Sequence, residues 1–227
     1  MYNVYAVSDL HGMYNLWRKV IDYLDETDTL FILGDCGDRG PDGWKIIKEA
    51  LRDERVIYVR GNHDQMLLDS WHSEWLDNNL WFWNGGYETF DAILDDNGPD
   101  PYLHELARTK LYYCYKNKQG QKIHLSHAGF TPHTFGKEFP SNEDLLWGRE
   151  HFLDKWPEGK ENEYIVYGHT WCGSSAHYGC NMKLNDSKTV GRYCGGHKIC
   201  IDGRCFMYNQ IALLDLDTLE EIVFSDN

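Results

Sequence analysis

The sequence predicts an α/β domain organised on a parallel sheet. Three observations carry this reading. Within the first 76 residues, a short apolar run, a polar turn and an amphipathic segment follow one another three times. Such alternation places parallel strands side by side with helices on their faces. Each polar turn delivers aspartate, histidine or asparagine beside glycine, at the carboxyl end of a predicted strand. Open α/β sheets build their ligand crevices there. After residue 111 the pattern changes to short strands with a hairpin signal, which predicts further, mixed pairing.

Residues 2–7 read as the first strand and end at Ser8, Asp9, Leu10, His11 and Gly12. Residues 15–24 carry Leu16, Trp17, Val20, Ile21 and Leu24 at helical spacing. Residues 29–33 are the second strand, a continuous apolar run of the kind a strand buried on both faces requires. It runs into Gly34, Asp35, Cys36, Gly37, Asp38, Arg39 and Gly40. Residues 41–51 read as a helix, with Pro41 suited to the first turn. Residues 55–59 are the third strand, followed by Arg60, Gly61, Asn62, His63, Asp64 and a helix to about residue 76.

Trp71, Trp75, Trp81 and Trp83 are concentrated ahead of Asn84, Gly85 and Gly86. Aromatic packing within a helical cap, about residues 66–112, is the expectation, and a substrate-facing wall is the alternative. Residues 99–108 read as a helix. Residues 111–115 and 121–125 form a hairpin about Lys118, Gln119 and Gly120 that leads to Ser126, His127, Ala128 and Gly129. Residues 141–152 read as a helix, with Ser141 and Asp144 in a capping pattern. Residues 164–167 form a strand ending at Gly168, His169 and Thr170. Residues 198–201, 206–214 and 221–224 are closing strands. No repeat or linker divides the chain, so residues 1–227 read as one domain.

A chain of 227 residues is long enough to bury a sizeable core. Its net charge of −14 argues against non-specific binding to nucleic acid or anionic membranes, and it carries no basic stripe for a nuclease. The opening residues lack the basic and apolar regions of a signal peptide, and no apolar run approaches a membrane span. Seven cysteines without a small-scaffold pattern then read as free thiols, which predicts a cytoplasmic protein.

Asp9, His11, Asp35, Asn62, His63, His127 and His169 all follow predicted strands. Carboxylate, imidazole and amide oxygen together suit borderline divalent cations such as Mn, Fe, Co or Zn. Two such ions about 3.5–4 Å apart clamp both the attacking and the leaving oxygen of a phosphoryl displacement. Asp35, on the central strand, is the candidate bridge.

Asp9-x-His11-Gly12, Gly34-Asp35-x-x-Asp38-Arg39-Gly40, Arg60-Gly61-Asn62-His63-Asp64, His127-Ala128 and Gly168-His169-Thr170 resemble the motif series of the calcineurin-like metallophosphoesterases. More narrowly they resemble the phosphoprotein phosphatase branch, in its bacteriophage-lambda and bacterial form. Residues 60–69, Asn84-Gly85-Gly86, Leu146-Trp147-x-Arg149-Glu150 and Tyr167-Gly168-His169-Thr170 carry that closer likeness. The resemblance implies a four-layer α/β/β/α sandwich of two facing mixed sheets.

It also implies that Asp9, His11 and Asp35 hold one metal, and Asp35, Asn62, His127 and His169 the other. A water or hydroxide between the ions attacks phosphorus in line. His63 is the general acid, with Asp38 holding its imidazole. Arg39, Arg60 and Arg149, with Asn62, grip the phosphate. Manganese is the favoured metal pair; iron, zinc, cobalt and nickel are the alternatives.

The function implied is hydrolysis of phosphomonoesters, on phosphorylated serine or threonine side chains or on small phosphoesters, with tyrosine left open. Hydrolysis of dinucleoside polyphosphates is the competing reading, and a non-catalytic metal-binding scaffold a third. No nucleic-acid or membrane partner is expected, and a monomer is compatible with everything in the sequence.

Two departures from the family pattern stand out. Gly37 replaces a bulky residue and is expected to loosen Asp38. Asp202-Gly203-Arg204 stands where Asp-Thr-Gly is common, so Asp202 is read as structural. Residues 170–200, with Cys172, Cys180, Cys194, Cys200, His177 and His197, are read as a long mobile loop over the site that shapes substrate choice.

Overall fold

The structure is a computed structural model that describes residues 2–73, 79–131 and 140–226. Strand β1 (Val4–Val7) leads to helix α1 (Tyr14–Tyr23), β2 (Thr29–Ile32) to α2 (Gly43–Arg52), and β3 (Val56–Tyr58) to α3 (Asn62–His72). The cap follows as α4 (Asn79–Trp83), α5 (Tyr87–Leu94) and α6 (Asp100–Arg108). Strands β4 (Tyr112–Lys116) and β5 (Lys122–Ser126) form the hairpin. After them come α7 (Asn142–Trp147), a 3-10 turn at Glu150–Phe152 and β6 (Glu163–Tyr167). A 3-10 stretch (Cys172–Tyr178) precedes β7 (Lys183–Leu184), β8 (Gly191–Tyr193) and β9 (Lys198–Cys200). Helix α8 (Cys205–Tyr208), β10 (Gln210–Asp215) and β11 (Glu221–Ser225) close the chain.

These strands make two mixed sheets. The first runs β11-β10-β1-β2-β3, with β1, β2 and β3 parallel and β10 antiparallel to β1. The second runs β4-β5-β6-β9-β8-β7, with β5, β6 and β9 parallel.

The layering follows from the two-residue period of a strand. Val4 and Ala6 of β1 pack with Ile123 and Leu125 of β5 and Val166 of β6 in the core between the sheets. Tyr5 and Val7 point the other way and pack with Leu16, Trp17 and Val20 of α1 and Ile46 and Ile47 of α2. Ile165 and Tyr167, outward on β6, pack with Leu145 of α7 and Phe152. Helix, sheet, sheet and helix therefore stack as expected for an α/β/β/α sandwich. Among the described residues no helix is long and apolar enough to cross a membrane.

Two expected elements change among the described residues. The helix expected over residues 141–152 breaks at Gly148, whose ψ of 133° is extended, after a Ser141 capping box starts it as expected. The strand expected over 206–214 begins as α8 and turns at Asn209 in the left-handed region (φ 50°) before β10. Asparagine tolerates that backbone, which is why a strand-like composition there conceals a reversal. Helix α5 falls within the expected helical cap, although the sequence singled out no separate element there. Helix α3 stops at His72, and the remainder of the helix expected to residue 76, with Trp75, lies outside the described residues.

The 170–200 segment does not remain a loop. Its later half builds β7 and β8 onto the second sheet, and Val190 enters the inter-sheet core. Only its first part reaches the strand ends that carry the candidate ligands.

Candidate active site

The carboxyl ends of the parallel strands converge on one edge of the sandwich. The loops after β1 and β2 are joined by backbone bonds: Asp9 N to Gly34 O (3.1 Å), His11 N to Asp35 O (2.9 Å) and Gly12 N to Cys36 O (2.8 Å). Asp9, His11, Asp35, Asp38, Arg39 and His169 all take left-handed backbone, with φ between 40° and 68°. Such conformations cost of order 1–3 kcal/mol each and persist where the surroundings over-determine them. The sharp reversals turn each side chain back toward a common centre.

Asp35 is that centre. Its Oδ2 lies 3.3 Å from His127 Nε2, 3.9 Å from His11 Nε2 and 4.0 Å from His63 Nε2. Asn62 Oδ1 lies 2.7 Å from His127 Nε2 and 2.8 Å from His169 Nδ1. His11 Nε2 is 3.8 Å from Asp9 Oδ1. The ligand groups of His11, Asp35 and His63, and those of Asp9, Asp35 and His127, lie within 4.8 Å of one another, so Asp35 belongs to both sets.

The chemistry of this donor set fits divalent cations. The Nδ1–H of His11 donates to Gly37 O (2.9 Å) and that of His127 to Leu33 O (2.7 Å), so both rings direct Nε2 to the centre. His169 has its Nδ1 inward and leaves Nε2 buried with no partner among the described residues. Burial, with Arg39 beside His11 and His127 beside His169, holds both imidazoles well below their usual range and so neutral. Burial and neighbouring Asp202 push Asp9 up. Burial would raise Asp35 too, but His127 and His63 outweigh it and hold the carboxyl low. Burial alone would lower His127, yet the Asp35 carboxylate draws it up to about 9. Two buried carboxylates are thus recruiting positive charge, and a cation answers that demand.

Beside the centre, His63 Nδ1 donates to Asp38 Oδ2 at 2.6 Å. Asp38 is not loosened by Gly37. Its backbone N–H donates to Thr89 Oγ1 (2.8 Å), and the Trp81 indole N–H lies 3.1 and 2.9 Å from its two oxygens. The cap helices α4 and α5 supply both groups, and they do what a bulky residue at 37 would have done. Asp64 supports the ligands as well: its Oδ2 accepts from Gly61 N and Asp35 N, and its Oδ1 from the Tyr58 hydroxyl. Its place three residues after Gly61 was a capping signal that could have found it.

The arginines divide. Arg39 donates to His11 Nε2 (2.7 Å) and His63 Nε2 (2.9 Å). Arg149 Nε donates to Thr170 Oγ1 (3.1 Å), and both arginines line an open pocket of about 430 Å³ over the centre. Arg60 does not join them: it donates to the Ala107 carbonyl of α6 (2.9 Å), where burial lowers its pKa. Trp83, Trp171, Tyr178, Asp202, Arg204 and Phe206 complete the pocket wall. Asp202, read as structural, is therefore at the site. Burial raises its carboxyl against the pull of the Arg204 backbone N–H and of Arg39. A wider groove of about 590 Å³ lies beside β3 and α6, but it holds none of these ligands, and chemistry rather than size identifies the site.

The aromatic cluster splits the same way. Trp81 is fully buried in the cap core, Trp71 packs there too, and Trp83 is 82% exposed at the pocket rim.

The family model for calcineurin-like phosphoesterases matches residues 2–200. The chain belongs to this family. The calcineurin-like phosphoesterases are metal-dependent hydrolases, and this chain is similar to serine/threonine-protein phosphatase 1 of Salmonella typhimurium, 27% identical over 74% of this chain and 78% of that one. It is also similar to the symmetrical bis(5'-nucleosyl)-tetraphosphatase of Buchnera aphidicola, 35% identical over 57% of this chain and 45% of the relative. A solved structure provisionally named a diadenosine tetraphosphatase shares the fold with a TM-score of 0.66, at 17% identity, over 99% of this chain and 94% of that one. The calcineurin-like fold thus accounts for both sheets and for the convergence of their strand ends.

Proposed function

We propose that this phosphoesterase hydrolyses phosphomonoesters, with phosphorylated serine or threonine side chains as the first substrate class. The observation that carries the reading is the Asp38–His63 pair, with Arg39 at the imidazole's other nitrogen, beside the Asp35 centre. The similarity to the Salmonella phosphatase supports the choice of substrate.

In this reading Asp9, His11 and Asp35 hold one cation, and Asp35, Asn62, His127 and His169 hold the other. Manganese is the proposed metal. Two divalent cations supply Lewis-acid polarisation of the phosphoryl oxygens and lower the pKa of an attacking water.

The chain's own groups do the rest. Arg39 and Arg149 bind the non-bridging oxygens and stabilise their charge as the bond to the leaving group lengthens. His63 delivers a proton from Nε2 to the leaving oxygen, and Asp38 keeps Nδ1 protonated so that Nε2 is the atom that exchanges. Arg39 stands 2.9 Å from that Nε2, so it must swing toward the phosphate when His63 acts as the acid. The buried floor keeps bulk water away from the carboxylates, while the open rim admits a side chain.

The test is hydrolysis by metal-stripped protein, with and without manganese, of p-nitrophenyl phosphate, a phosphopeptide panel and diadenosine tetraphosphate. Manganese-dependent release from the peptides supports the reading. The second reading, a dinucleoside polyphosphate hydrolase, is favoured by the aromatic faces of Trp83, Trp171 and Tyr178 around the pocket, which suit nucleobases. Turnover confined to diadenosine tetraphosphate would select it.

A further inference from the structure

Residues 202–206 reverse direction at the pocket wall. Asp202 Oδ1 accepts the backbone N–H of Arg204 at 2.7 Å, and Arg204 itself takes left-handed backbone with φ 57°. The cost of that conformation is borne at a position where glycine would adopt it freely. The reversal sets the Arg204 guanidinium against two rings, 5.4 Å from the centre of Trp171 and 5.7 Å from that of Phe206. Arg39 lies 4.9 Å from the same Phe206 ring, which also packs edge-on against His11 at 5.5 Å. One ring therefore touches the inner centre, the inner guanidinium and the outer one.

The two guanidinium groups differ in what they hold. Arg39 is committed to His11 and His63. Among the described residues no hydrogen bond engages the Arg204 guanidinium; its partners are ring faces. The arginines that pair with carboxylates there are Arg18, Arg55 and Arg192, and Arg39, Arg149 and Arg204 are not among them. In a chain of net charge −14, three guanidinium groups with no ion-pair partner among the described residues line one pocket. Arg39 and Arg149 suffice for the oxygens of one phosphoryl group, and stacking on rings leaves the Arg204 N–H fork to grip another.

We propose that Arg204, held on Trp171 and Phe206, is a second anion subsite, and that the preferred substrate carries a second phosphoryl group close to the one being cleaved. The proposal deepens the phosphatase reading and rests on it for the site of cleavage. The shared chemistry is two neighbouring phosphoryl groups; a doubly phosphorylated peptide segment and a phosphoanhydride chain are the two sources.

The test compares wild-type protein with Arg204→Gln and with Arg204→Gly, whose backbone suits the position. Manganese-loaded enzyme is assayed on p-nitrophenyl phosphate, a peptide with one phosphoserine, the same peptide with two adjacent phosphoserines, and diadenosine tetraphosphate. Calorimetry of metal-free protein with inorganic phosphate and with inorganic pyrophosphate gives a readout independent of turnover. The expected result is a loss in kcat/KM about tenfold greater on a two-phosphoryl substrate than on its single-phosphoryl counterpart, as the loss of one charge-assisted bond predicts. Which two-phosphoryl substrate responds identifies the source. Wild-type protein should also bind pyrophosphate more tightly than phosphate, and both variants should lose that preference.

An equal loss on every substrate, or none on any, overturns the subsite. If the wild type cleaves no phosphoester, the phosphatase reading fails, and the pyrophosphate preference then decides the subsite alone.

Discussion

Asp38 and His63 are joined by a 2.6 Å hydrogen bond between two side chains that are almost wholly buried. The carboxylate accepts from Nδ1 and so fixes the tautomer and orientation of the imidazole, leaving Nε2 turned to the site. Replacing His63→Asn should lower kcat about 10²- to 10⁴-fold on a phosphoserine peptide. The loss should be smaller on p-nitrophenyl phosphate, whose leaving group needs little protonation. Metal content, measured by elemental analysis, should not change. Asp38→Asn should cost about 10- to 100-fold, because it removes orientation and not the acid itself. Equal losses on both substrates with His63→Asn would remove it from the acid role.

Trp81 connects the cap to that pair. Its indole N–H reaches both Asp38 oxygens and its ring is fully buried. Trp81→Phe removes the bond and leaves a small cavity, so unfolding should be easier by about 1–3 kcal/mol. kcat should fall less than in Asp38→Asn, since Thr89 still holds the Asp38 backbone. Denaturant unfolding and steady-state kinetics check the two effects separately.

Asp35 belongs to both of the residue groups that could hold a metal ion, and it is the residue shared by the two proposed sites. Asp35→Asn should therefore reduce manganese stoichiometry below two per chain by calorimetry and abolish measurable turnover. Asp9→Asn should weaken one site only. If both variants bound two ions with unchanged affinity, the shared position of Asp35 would have no role in metal binding.

Glu163 of β6 ties that strand to β5 and to the turn that precedes it. It accepts from His124 Nε2 (2.9 Å) and Lys160 Nζ (3.0 Å). Burial would raise its carboxyl, but those bonds outweigh burial and hold it below its ordinary value of 4.5. Burial keeps His124 neutral despite this carboxylate, so the contact is a neutral donor on an anion. A depressed carboxyl contributes stability that is fully present above the unfolded pKa and lost as pH falls through the folded one. The Tm advantage of wild type over Glu163→Gln should hold near neutrality and shrink below about pH 4.5. A difference that is constant down to pH 3 would assign the effect to packing.

The sequence by itself determined which residues gather at the strand ends as candidate ligands. Asp9, His11, Asp35, Asn62, His127 and His169 each follow a short apolar run, and the period of the chain places such residues at one sheet edge without knowledge of what packs against them. It also determined the Asp38–His63 partnership, through the family motifs that contain both residues. The tertiary structure decided the rest. Arg60 sits within a motif, yet the carbonyl of Ala107 captures it from a helix 47 residues away. Trp81 and Thr89 hold Asp38, although nothing in their local spacing distinguishes them from other cap residues. Asp202, Arg204 and Phe206 come to the pocket because the chain reverses after β9, and the left-handed backbone at Arg204 has no signature in an arginine codeword. Short-range periodicity records which face a residue is on. Which distant group meets it there depends on how two sheets and a cap close on one another, and only the packed molecule settles that.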